Sequence, residues 1–262
     1  MAEVSKDRTI FACPHCGLEL VYTKTGATCS HGHSFDRARE GYLNLVVAGR
    51  IAATTTPGDT AESLAARRRF LATGAYAPIV EALIGALGDV SGPILDIGCG
   101  EGYYLSQIQS SQKYGVDISK RGIQMASKAY PHSNFVVGNA FRLPVLAQSC
   151  EAVFSVFSPH AHEEFHRVLV PGGRWITVTP GPEHLIEMRP LRKESIITRE
   201  QKRQEPPSGS SSAQRVQFTL NLSEESADDL FSMTPLKWQT AANSEPSRHV
   251  TVDVWVASGL SS

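Results

Sequence analysis

From Pro93 to Pro180 short apolar runs alternate with segments of helical pattern. PILDI (93–97), KYGVDI (113–118), NFVVG (134–138), EAVFSVF (151–157) and RWITVTP (174–180) read as strands, and YYLSQIQS (103–110), KRGIQMASKAY (120–130) and HEEFHRVL (162–169) as the helices between them. Strands this apolar, spaced by helices, are buried on both faces, which predicts a mostly parallel sheet in an α/β fold. Upstream, one helical pattern starts at the capping candidates Asp59 and Thr60 and stops at Gly74. A second carries Val80, Leu83, Ile84 and Leu87 on one face and stops at Gly88. Residues 48–58 read as a linker and the polar stretch 189–214 as a loop. A strand near 214–222, a helix from Ser223 and a last strand, HVTVDVWVAS (249–258), bring the sheet to seven strands.

Before Asn44 the periodicity fails, and the segment has too little apolar residue to form a core without a staple. Its cysteines supply one. The spacing is Cys13-x2-Cys16-x12-Cys29-x3-His33, two knuckles able to close a tetrahedral zinc site. His31 competes as the fourth ligand, but the three-residue gap gives His33 room to turn back. Four protein ligands leave no open position for water, so the zinc is expected to be structural. The organisation that follows is a zinc-binding module over 1–45, a linker and helices over 46–90, and a catalytic domain over 91–262.

Composition narrows the classes. Of 262 residues 41% are hydrophobic and 19% charged, enough for a core and against general disorder. The net charge of −1 makes any nucleic-acid contact a matter of local basic patches. No apolar run reaches 18 residues and MAEVSKDRTI lacks a secretory pattern, so no membrane partner is expected. Five cysteines, three of them in the knuckles, fit a reducing compartment and a cytoplasmic location.

The turn after the first strand carries the chemistry. In Ile94-Leu95-Asp96-Ile97-Gly98-Cys99-Gly100-Glu101-Gly102 alternate glycines let backbone turn sharply and approach a ligand. The spacing is one residue shorter than the dinucleotide fingerprint, and Asp96 lies inside the strand. Asp117 ends the next strand, 21 residues beyond Asp96, where a carboxylate can take both hydroxyls of a ribose. These features favour S-adenosylmethionine (SAM) over a nicotinamide dinucleotide. Asn139, at the end of the third strand, is placed to read an adenine. The phrase Arg167–Gly173 resembles the turn before the fifth strand in class I, Rossmann-like SAM-dependent methyltransferases.

The whole combination resembles the bacterial 23S ribosomal RNA guanine-N1-methyltransferases. The likeness lies in CPHC with CSHGHSFDRAREGYLNL, PGDTAESLAARRRFLATGAY, LDIGCGEGYY and TPGPEHLIEM, and fades past Arg189. It implies zinc on Cys13, Cys16, Cys29 and His33, and cofactor contacts at Tyr76, Gly100, Glu101 and His184. It also implies a homodimer and methylation at N1 of a guanine in hairpin 35. Phe157-Ser158-Pro159 is more similar to the subgroup linked to tylosin resistance, which would tie the activity to macrolide resistance.

Guanine N1 carries a proton that must leave, and Ser158 and His160, after the fourth strand, are the candidate catalytic residues. Arg67, Arg68 and Arg69 form a basic run suited to RNA phosphates, with a second run through Arg189, Arg192, Lys193, Arg199, Lys202 and Arg203. A small-molecule methyltransferase whose zinc module docks another protein is the alternative.

Overall fold

A computed structural model describes residues 9–47, 60–158, 161–189, 205–238 and 246–261. Its first part is a ribbon: β1 (Val21–Tyr22), β2 (Gly26–Thr28) and β3 (Ser34–Asp36) pair antiparallel, and β4 (Leu43–Asn44) leaves them. Two helices follow, α1 (Ala61–Ala72) and α2 (Ala77–Leu87). Thr60 caps α1, its hydroxyl oxygen accepting from Ser63 N at 3.1 Å. Gly88, in left-handed φ of 63°, ends α2.

Next come β5 (Ile94–Ile97), α3 (Tyr103–Ser106), β6 (Lys113–Asp117), α4 (Lys120–Ala129) and β7 (Asn134–Val137). Then β8 (Cys150–Val156), α5 (His162–Val168), β9 (Leu169–Pro180), β10 (Ser212–Asn221), α6 (Glu224–Ser232) and β11 (His249–Leu260) complete the chain. Ser119 and Ser223 cap α4 and α6 as Thr60 caps α1. The main sheet runs β10-β11-β9-β8-β5-β6-β7-β4, and only β11 is reversed.

The expected seven strands are all present, but the sheet has eight. Leu43 and Asn44 pair in parallel with Val136 and Val137, a two-residue strand too short to show a period in sequence. Two element boundaries also shift, one of a strand and one of a helix. β9 starts five residues before Arg174, because Leu169 already pairs with Cys150 ahead of a bulge. The helix expected over 103–110 is only one turn long.

No helix follows β7, where residues 139–149 form a loop. The ribbon fills that place. Ala12 N donates to Pro144 O at 2.9 Å and Leu146 N to Ile10 O at 2.8 Å, stitching the ribbon to the loop. Phe11, fully buried, meets Tyr114 edge-on with ring centroids 5.4 Å apart. Leu20, Leu43 and Leu45 join Ile97, Val116, Val136 and Val153 in one core on this face. The opposite face is covered by α1, α2, α4 and α6 through Phe70, Ile79, Leu83, Ile123 and Leu230. Among the described residues no single helix is long and apolar enough to cross a membrane.

Candidate active site and zinc centre

The four predicted zinc ligands converge. The ligand atoms of Cys13, Cys16, Cys29 and His33 all lie within 4.8 Å of one another. Thiolates about 2.3 Å from a tetrahedral zinc sit about 3.8 Å apart, and a thiolate and an imidazole nitrogen slightly closer. Cys16 and Cys29 are 3.7 Å apart, and His33 Nδ1 is 3.5 Å from Cys13 and 3.3 Å from Cys29. The donor set therefore fits zinc with no rearrangement, and it selects His33 over His31. Burial raises the Cys29 thiol, but the hydrogen bonds from His33 and neighbouring amides outweigh it and bring it down to about 6. Burial pushes Cys13 the other way.

The second cluster lies at the carboxyl ends of β5, β6, β8 and β9. Gly98, Gly100 and Gly102 hold φ of 78°, 53° and 85°, a region L side chains avoid. A Cβ on Gly98 would run into Ser158 Oγ, so the predicted Ser158 sits directly on the glycine turn. Asp117 clamps that turn: its carboxylate accepts from Gly100 N at 2.8 Å and Ser119 N at 2.7 Å.

Asp96 is buried, and its Oδ2 has no hydrogen-bond partner among the described residues. Burial first, then the charges of Asp117 and Glu101, push its carboxyl well above the usual carboxylate range, with Arg67 pulling back. Glu101 is buried beside it. Tyr76, fully buried, packs edge-on to Phe70 and lies 6.2 Å from Phe157, whose ring stacks on His184 at 5.3 Å. Phe157 pays for its position with a left-handed φ of 53°.

Sequence reasoning missed the residue that sets His184. Asp253, buried on β11, accepts from Glu183 N at 2.8 Å and holds Arg215 with contacts of 2.8 and 3.0 Å. Its backbone N donates to His184 Nδ1 at 3.3 Å, so the ring carries its proton on Nε2. An acid among the valines of HVTVDVWV was the available signal.

The remaining predicted residues separate. Asn139 Oδ1 accepts from Phe141 N at 2.9 Å, shaping the loop after β7. Asn139 also lines a cleft of about 590 Å³ between that loop and the zinc knuckle, beside His15, Arg142 and Arg167. This cleft is distinct from the glycine turn, where the carboxylates gather. His160 lies outside the described residues, as do Arg192, Lys193, Arg199, Lys202 and Arg203. Arg189 donates to His184 O at 2.6 Å. The run Arg67–Arg69 is split. Arg69 forms a two-pronged ion pair with Asp229 of α6, at 2.9 and 2.5 Å, while Arg68 is exposed and Arg67 turns to the glycine loop.

A nucleoside whose tail carries an ammonium and a sulfonium suits this site. Three carboxylates around the turn would repel a pyrophosphate and attract that tail. The buried, unsatisfied Asp96 oxygen and the Cβ-free cradle are what such a ligand would complete.

Comparison with known proteins agrees. Residues 11–48 match a family profile described as "RlmA, N-terminal", a zinc ribbon, and residues 95–177 match one described as a methyltransferase domain. A Bacillus subtilis (strain 168) protein, named provisionally as a 23S rRNA (guanine-N1)-methyltransferase, is 30% identical over 97% of this chain and 98% of its own length. The chain belongs to the 23S rRNA guanine-N1-methyltransferase family. A Micromonospora griseorubida member is 36% identical over 67% of each chain. The Streptomyces fradiae 23S rRNA (guanine(748)-N(1))-methyltransferase is 33% identical over 67% of this chain and 65% of its own length. The fold is that of a class I SAM-dependent methyltransferase with an N-terminal zinc ribbon, and SAM and structural zinc are its cofactors.

Proposed function

We propose that this chain transfers a methyl group from SAM to N1 of a guanine in 23S ribosomal RNA, in the hairpin-35 region. The observation that carries the reading is the joining of a Cys3His ribbon and a carboxylate-ringed glycine turn on one continuous sheet, matched end to end by a relative of that name. When bound, the cofactor supplies a methyl carbon activated by its sulfonium. The protein positions the base in line with that carbon and excludes water. Tyr76, Glu101, Asp96 and His184 hold the donor's tail, and Asp117 its ribose. Asn139 is the adenine contact, near the end of β7. Ser158, fixed against Gly98, lines the base pocket, and His160 is the candidate acceptor of the N1 proton.

The target base must leave its stack to reach the turn, which suits a hairpin loop better than a regular duplex. The cleft between knuckle and β7 loop supports the RNA reading. It carries Arg142 on its wall, and Phe141, 63% exposed, stands beside it as a stacking surface. Arg68 is a phosphate contact. The work is cytoplasmic, consistent with five free cysteines among the described residues. The chain pairs as a homodimer, which light scattering checks.

Methylation at N1 blocks the Watson–Crick edge, so reverse transcription reads it directly. Primer extension on 23S rRNA from cells with and without this gene is expected to show a gene-dependent stop in hairpin 35. An unchanged pattern, with methyl transfer to a metabolite persisting after zinc removal, would establish the small-molecule alternative.

A further inference from the structure

We infer that Arg67 is a cofactor-binding residue: its guanidinium receives the carboxylate of the methionine tail and does not serve RNA phosphate. The inference rests on SAM binding at the glycine turn, as argued above. In a helix that turns about 100° per residue, the arc occupied by the buried Leu64, Ala66, Phe70 and Leu71 also contains position 67. Arg68 and Arg69 fall outside that arc, and both are exposed. Arg67 is therefore the one arginine of the three that α1 turns inward.

Its target is visible in the packing. A Cβ built on Gly100 would stand 3.0 Å from Arg67 Nη1, so the guanidinium lies against the turn itself. It acts electrostatically on Asp96, Tyr76 and Tyr104, groups from three separate elements that surround the same turn.

The charge pattern says what the guanidinium is for. The methionine tail carries an ammonium and a carboxylate on one carbon, with a sulfonium close by. Asp96, Glu101 and Asp117 attract the two cationic groups and repel the carboxylate. A cation set among three acids resolves that conflict, and a guanidinium forks onto a carboxylate in two parallel hydrogen bonds. The split also gives selectivity, since a nucleoside lacking the carboxylate gains nothing from Arg67 and is repelled by it when cationic.

Calorimetry on the zinc-loaded full chain tests this with two ligands, SAM and decarboxylated SAM, which keeps the ammonium and sulfonium. The wild type is expected to prefer SAM by about 10- to 100-fold. Arg67→Gln should erase that preference by weakening SAM alone, leaving decarboxylated SAM unchanged or a few-fold tighter. Arg67→Lys, which keeps the charge, should retain part of the preference and covers the case of a poorly folded glutamine variant. Binding of a 23S hairpin, and its salt dependence, should be unmoved by either variant. The inference is overturned if both variants keep the full preference for SAM, or if both ligands weaken equally. It is also overturned if RNA binding falls with a salt slope smaller by about one. A wild type that binds SAM but leaves 23S rRNA unmodified would defeat the RNA reading alone, because the arginine test reads cofactor affinity.

Discussion

In the ribbon, four ligands fall within residues 13–33, and their spacing in sequence already fixes their meeting in space. The proposed cofactor site draws on residues 67, 76, 96–102, 117, 158 and 184, delivered by α1, the start of α2, β5, β6 and the ends of β8 and β9. The ribbon is a short-range device closed by a metal, whereas the turn is a long-range device closed by a sheet. They are nevertheless not separate objects. The sheet lacks a helix after β7, and the ribbon's Phe11, Leu20 and Leu43 cover the face left open. Zinc therefore stabilises part of the catalytic domain's own core.

The sharpest way to break that comparison is to remove the metal. Structural zinc contributes about 10–16 kcal/mol of apparent binding energy at neutral pH, so a strong chelator should lower the melting of the whole chain in a single transition. Two separated transitions, with the second unshifted, would show that ribbon and sheet fold independently.

Asp253→Ala is next. Removing a buried carboxylate that organises Arg215 and the turn at 183–184 should cost about 3 kcal/mol, read by urea denaturation. Burial raises the Asp253 carboxyl, but Arg215 and the Glu183 amide together bring it below the usual range. Such a group stabilises the fold above its unfolded pKa, and the gain is lost as pH falls through its folded pKa. The variant should lack that acid-limb loss.

Gly98→Ala puts a methyl into Ser158 and strains a positive φ, and should weaken SAM about 100-fold. Adding Ser158→Gly removes the clash but not the strain, so partial recovery is expected. No recovery would mean that the backbone alone decides.

Asp96→Asn gives the smallest effect and the most diagnostic one. A carboxyl whose folded pKa is raised destabilises the apoprotein increasingly as pH climbs above its unfolded value. The amide should then raise the melting temperature at neutral pH while weakening SAM about tenfold. If melting and affinity fall together, Asp96 is an architectural residue and the stored electrostatic cost is not there.

Much of this was legible in sequence, for reasons particular to each element. Apolar strands of a parallel sheet declare themselves because both faces are buried, and Thr60, Ser119 and Ser223 mark helix starts through their own side chains. Asp117 was placed by the strand that precedes it. Leu43 and Asn44 were not recognisable as a strand, since two residues carry no period and their partner lies more than ninety positions away.

The sequence alone determined the fold class, the zinc ligands and the glycine turn, because each is written in local spacing and in the demand for residues without a Cβ. Tertiary structure decided where three adjacent arginines point, that a ribbon stands in for a helix, and which buried acid seats His184. Those outcomes depend on which groups from distant segments share a low-dielectric space, and a linear order of residues does not carry that information.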